Sequence, residues 1–247
     1  MRLYLAAPPE DLPPVPGRRI CHMAFRIGPE EALLSGALPP RVRGGLLSLS
    51  DWDAPEVRRP EQLRAAAAEV CGRLGLEGVV LDFTGPFRQD LAALAACFAA
   101  APVGRLYVSE VYHTGGGAAL VSTALSGGDL RQHLQEAVRR YGAGHVALDV
   151  ERVRMDFRLP CPTGEGEPLT GAGLSALLRE RVPHRFFSRE LCARYGTYAQ
   201  NGQGHLVLFD DGATLREKLR LGEELGIRET FLLWPEVRDL AGALPLR

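Results

Sequence analysis

The chain carries no excess charge of one sign: 29 Lys and Arg stand against 30 Asp and Glu in 247 residues. That balance gives no long-range field to gather nucleic acid or an anionic membrane, and leaves only a local basic patch as a route to either. The arginine-rich runs at 41–43, 58–59 and 139–140 read as solvated faces. There is no CxxC pair. The five cysteines (Cys21, Cys71, Cys97, Cys161, Cys192) are odd in number and widely spaced, which argues against a zinc site or a disulfide framework and for a reducing compartment. Six scattered histidines (His22, His113, His133, His145, His184, His205) show no HExxH spacing, so neither a metal nor a cofactor is expected. No apolar run reaches the roughly 18–20 residues of a membrane span. The opening MRLYLAAPPEDLPPVP turns to prolines and acids before it builds the about 7–15 apolar residues of a secretory leader. The expectation is a cytoplasmic chain with no membrane partner; oligomeric state is left open.

What is present is alternation. Short apolar runs at 2–6, 20–26, 46–50, 79–83, 105–110, 119–126, 145–151 and 230–234 read as strands, and 205–210 would be a ninth. Helix signals lie between them. Residues 60–74 open on Pro then Glu and stop at Gly75; 129–141 start at Asp129, a good N-cap, and stop before Gly142. Stretches 88–101 and 213–225 complete the set. Strand alternating with helix argues for a parallel sheet, and eight units in about 250 residues suit a closed (β/α)8 TIM barrel. An open doubly wound sheet is the alternative, but no G-x-G-x-x-G follows an early strand. Residues 152–204 break the repeat and read as an insertion between the seventh strand and the last helix, inside one domain spanning 1–247.

Side chains alternate along a strand, so the apolar set marks the helix-covered outside and the other set the barrel interior. Val79, Leu81 and Phe83 face out, with Val80, Asp82 and Thr84 in. Cys21, Met23 and Phe25 face out, with His22, Ala24 and Arg26 in. Leu47 and Leu49 face out, with Ser48 and Ser50 in. Val146, Leu148 and Val150 face out, with Ala147, Asp149 and Glu151 in. Ser122, Ala124 and Ser126 share the polar side of their strand, and 105–110 is ambiguous between Ser109 and Glu110. Trp234 shares a face with Leu232. The inferred mouth therefore holds His22, Arg26, Ser48, Ser50, Asp82, Thr84, Asp149, Glu151 and Trp234. Acids and hydroxyls above an aromatic floor suit a sugar or another small polar ligand. The bland alternative is that Arg26 or His22 pairs with Asp82 or Glu151 as barrel-filling ion pairs.

Three stretches together resemble family 18 glycoside hydrolases, the chitinase-like barrels. In 46–86, LLSLSDW precedes a helix and GLEGVVLDFTGP. Glu77 and Gly78 fall at the family's opening Asp-Gly, Val80 at its second Asp, Asp82 at its third, Thr84 at its catalytic Glu and Pro86 at its Pro. In 207–234 the most specific match is Asp210, Asp211, Thr214, Leu215, Lys218, Gly226, Ile227 and Trp234. ICHMAF at 20–25 is similar to the family's second strand. The resemblance implies a barrel that protonates a glycosidic oxygen with the motif Glu while the substrate's own acetamide attacks. Thr84 cannot supply that proton, because a hydroxyl is far too weak an acid. The family's sixth-strand Met-x-Tyr-Asp is also replaced, by STALSG at 122–127.

The resemblance thus implies a non-hydrolytic carbohydrate-binding barrel for N-acetylglucosamine-type sugars, with Trp234 as stacking platform and Asp82, Asp149 and Glu151 as acceptors. One alternative is an active glycosidase with relocated carboxylates, drawn from the same three acids. Another is a scaffold that has lost its site. A polysaccharide ligand and the lack of a leader are reconciled by an intracellular role on fragments, as in a spore-forming or wall-recycling setting.

Overall fold

Eight parallel strands close on themselves. In the computed structural model, which describes residues 1–36 and 42–246, the barrel runs through β1 (Arg2–Ala7), β2 (Ile20–Ile27), β4 (Leu46–Ser50), β5 (Gly78–Asp82), β6 (Arg105–Ser109), β7 (Ala118–Ser122), β8 (Val146–Val150) and β14 (Glu229–Leu233). In the same sheet β3 (Leu33–Ser35) pairs antiparallel with β2, outside the ring. Closure comes from β1, which pairs with β14 on one side and β2 on the other. All eight barrel strands fall where the sequence placed them. Arg41, at the head of one arginine-rich run, lies outside the described residues.

The helices form where their ends are signalled. α1 (Pro60–Leu74) has Pro at its first position, where no backbone N–H is needed, and ends at Gly75 with φ 62°, a left-handed turn that glycine adopts freely. α2 spans Gln89–Ala100. α3 (Leu130–Tyr141) is capped by Asp129, whose side chain accepts the Gln132 N–H. α5 (Gly212–Glu224) opens on a reciprocal capping box between Asp211 and Thr214. These four follow β4, β5, β7 and β8; β1, β2 and β6 lead instead into loops and short 3-10 turns, and β14 into the single turn α6 (Trp234–Val237).

Alternation along the strands sorts the apolar residues into an inner and two outer cores. Inside, Tyr4, Cys21, Leu46, Val80, Tyr107, Ala118, Ala147 and Phe231 fill the barrel. Tyr4 stacks on Phe231 at 5.0 Å, and Tyr107 meets the same ring edge-on at 4.9 Å. This aromatic layer plugs the end where the strands begin and leaves the other end to carry polar groups. Outside, one core joins β2, β4, β5 and β6 to α1 and α2, and the other joins β1, β7, β8 and β14 to α3 and α5.

The insertion follows the seventh barrel strand, β8, and precedes α5, the last long helix. It forms an antiparallel sheet of β9 (Arg154–Leu159), β10 (Glu167–Pro168), β11 (Phe186–Ser188), β12 (Ala193–Gln200) and β13 (Gln203–Phe209), in the order β10-β9-β13-β12-β11. The apolar run at 205–210 is therefore β13, and belongs to this sheet instead of the barrel. Helix α4 (Gly171–Glu180) packs on the sheet through Leu174, against Val182, Val207 and Phe209.

Candidate functional site

The carboxyl ends of the strands bring together most, but not all, of the predicted mouth residues. Ser48, buried on β4, donates to Asp82 Oδ2 on β5 at 3.4 Å. Asp149 on β8 lies deep in the same opening. Just past it, Glu151 is exposed and accepts from Ser122 Oγ on β7 at 3.2 Å. On β6 the inward residue is Ser109, two on from Tyr107; it donates to the Phe83 carbonyl at 3.2 Å. Thr84 stands exposed on the rim, its backbone N–H held by Asp51 Oδ1 at 3.1 Å.

Among the described residues the three acids act on one another without a cation between them. Burial raises the Asp82 pKa, against a hydrogen bond from Ser48 that lowers it, and the charges of Asp51 and Glu151 raise it further. Asp149 is pushed up to about 7, first by burial, then by Glu151 and Asp82. Below them Cys21 is fully buried, and burial drives its thiol well above the ordinary range, with both aspartates adding to the shift. Among the described residues neither Arg26 nor His22 pairs with these acids, so the barrel-filling ion pairs are not formed.

An open cleft of about 840 Å³ lies beside Asp82 and is lined by Ser48, Ser50, Met23, Arg26, Trp52 and Leu233, among others. Trp52, in the loop after β4, is 75% exposed, and its backbone N–H bonds Ser50 Oγ at 3.1 Å. The sequence reading missed Trp52 as a site residue. The available signal was its position two residues past the strand end, where barrel loops carry function.

Two predicted mouth residues are elsewhere. His22 is buried, with Nε2 3.2 Å from the Gly44 carbonyl, and burial lowers its pKa. The register slips between His22 and Phe25, an irregularity that upsets simple alternation; Cys21 points into the barrel and Met23 lines the cleft, both opposite to expectation, while Ala24 packs in the outer core. Trp234 is buried with Leu232 in the outer core, and its Nε1 donates to Asp11 at 3.2 Å. Phe231 faces inward, so the β14 residue that reaches the cleft is Leu233; Trp234 begins α6 and provides no floor.

The remaining family-like residues have structural work. Asp210 Oδ2 accepts from Lys218 Nζ at 2.7 Å and from the Val153 N–H at 2.9 Å, while Oδ1 accepts from Thr214 Oγ1 at 2.8 Å. This network is buried and fastens α5 to the chain leaving β8.

With this geometry in hand, likeness to known structures is informative. No family model and no curated protein matches the chain. Solved structures do. A GH18 chitinase from Cycas revoluta in complex with (GlcNAc)3 superposes with TM-score 0.66 at 14% identity, covering 99% of this chain and 98% of that one. The spore cortex-lytic enzyme SleL of Bacillus megaterium gives 0.65 at 14%, over 98% and 72% of the two chains. A chitinase from Chromobacterium violaceum gives 0.62 at 13%, over 95% of each. The fold is therefore that of a (β/α)8 barrel of the GH18 type.

Proposed function

We propose that this barrel binds an N-acetylglucosamine-type oligosaccharide at the carboxyl ends of its strands and does not cleave it. The observation that carries this reading is the cleft itself: exposed Trp52 lines it together with Ser48, Ser50, Asp82 and Arg26, and the residue two past Asp82 is Thr84. A ring face stacks on the C–H face of a sugar, and hydroxyl, carboxyl and guanidinium groups match its polar edge. Thr84 has no proton to give a leaving oxygen at neutral pH. The (GlcNAc)3 bound by the Cycas chitinase, whose fold this chain shares, suggests the ligand class. A pure scaffold is disfavoured, because half-buried acids gathered without cationic partners weaken a fold and suit a ligand site.

One observation favours a second reading. Asp149, with a pKa of about 7, sits beside Glu151, so one carboxyl is poised to give a proton while the other accepts. Calorimetry with N-acetylglucosamine tetramer, and a reducing-end assay on the same samples, separates the two. The expected result is binding without cleavage, weakened by Trp52→Ala. Cleavage that Asp149→Asn abolishes would install the hydrolase, and neither binding nor cleavage would return the scaffold.

A further inference from the structure

A second cleft, of about 950 Å³, opens between the insertion and the barrel rim, and Pro235 lines both clefts. Its walls carry five guanidinium groups: Arg152, Arg154, Arg185, Arg194 and Arg238. Four have acidic partners. Arg152 pairs with Asp239 at 2.6 Å, Arg154 with Glu236, Arg194 with Asp211 at 3.1 Å and Arg238 with Asp11 at 3.2 Å. Each carboxylate is reached by one guanidinium nitrogen, so N–H donors remain over from the five that every arginine carries. Arg152 is 9% exposed; its Nη1 also donates to the Glu236 carbonyl at 2.8 Å, and its Nε has no acceptor among the described residues. Among the described residues Arg185 has no acidic partner; its Nη2 donates to the Leu178 carbonyl at 3.1 Å. Asp210, which also lines the cleft, is already neutralised by Lys218.

The amino end of α4 faces the same space. Its first turn has no acid, and Thr170 satisfies only the Gly173 N–H, at 3.0 Å. A Cβ added to Gly171 would meet nothing nearer than Arg154 Nη1, at 3.8 Å, so the helix end is open toward that guanidinium. Surplus guanidinium donors beside a helix amino end capped at one N–H only form an environment for an anion.

We propose that this second cleft is a subsite for an acidic group, a carboxylate or phosphoryl substituent on the oligosaccharide whose neutral sugars occupy the cleft at Trp52. The proposal rests on the carbohydrate reading above. It gives the insertion a role: β9, β12 and the segment before β11 supply three of the five arginines, and α4 supplies the helix end.

Three probes test it by calorimetry: a neutral N-acetylglucosamine tetramer, an oligomer alternating N-acetylglucosamine with glucuronate, and a tetramer carrying a terminal 6-phosphate. At low salt, at least one acidic oligomer is expected to bind about tenfold more tightly than the neutral one, an advantage that shrinks as salt rises. The preferred acid identifies the substituent. Arg185→Gln and Gly171→Asp, which places a carboxylate in the open helix end, each remove most of the advantage while neutral binding and Tm stay unchanged. Equal affinity for neutral and acidic oligomers overturns the subsite and leaves the carbohydrate reading standing. Binding of inorganic phosphate alone, abolished by Gly171→Asp, with no oligosaccharide bound, overturns both the carbohydrate reading and the occupant assigned here.

Discussion

Lys218 Nζ donates to Asp210 Oδ2 at 2.7 Å, and neither side chain reaches solvent. In the sequence these two belong to the most specific family-like stretch; in the structure they tie α5 to the chain leaving β8. Removing one partner strands a buried charge, which costs far more than the pair contributes. Lys218→Met is expected to lower stability by about 3–5 kcal/mol in urea unfolding. A loss below about 1 kcal/mol would show that the network is not what fastens the helix.

Gly78, matched by sequence to the family's Asp-Gly, is explained by packing. A Cβ there would lie inside contact distance of the Arg105 backbone, its partner on β6. Gly78→Ala must push β5 from β6 next to the strand that carries Asp82. The expected cost is about 1–3 kcal/mol, read as a fall in Tm. An unchanged Tm would mean that the two strands are not held this closely.

These two residues show what the sequence could tell. Strand positions and inward faces of β4, β5 and β8 were legible because polar residues recur at every second place toward their carboxyl ends (Ser48 and Ser50, Asp82 and Thr84, Asp149 and Glu151), and helix ends because Pro60, Gly75, Asp129 and Asp211 stand at them. β2 misled because the register slips within it, which reverses Cys21 and Met23. Trp234 misled because its place in a motif does not tell where β14 stops and α6 begins. Trp52 was missed although its place just past β4 offered a signal, because the faces of a strand say nothing of the loop beyond it; the arginine cleft was illegible because Arg154, Arg194 and Arg238 meet only once the insertion has folded against the rim.

The two tryptophans should separate cleanly. Trp234 is in the outer core, so Trp234→Ala is expected to cost about 3–5 kcal/mol of stability. Trp52 is 75% exposed, so Trp52→Ala should leave Tm within a degree or two while weakening oligosaccharide binding about tenfold or more. Calorimetry and thermal unfolding on both variants check this. Full binding by Trp52→Ala would remove that ring from the site.

Asp149 makes stability depend on pH in a direction opposite to most carboxylates. Unfolded, it titrates near about 3.9; folded, at about 7, because burial and the charges of Glu151 and Asp82 disfavour ionisation. Between those values the folded chain keeps a proton that the unfolded chain has released. Stability from this group is therefore lost as pH rises through that window. The penalty is absent below about pH 4 and reaches about 4 kcal/mol above pH 7. Asn cannot ionise, so Asp149→Asn should match wild type near pH 4 and become the more stable protein by pH 8. Urea unfolding of both across this range measures the difference. A gap that stays constant with pH would mean that Asp149 ionises in the fold as readily as in water, and would remove both the buried acid cluster and the poised proton that the hydrolytic alternative requires.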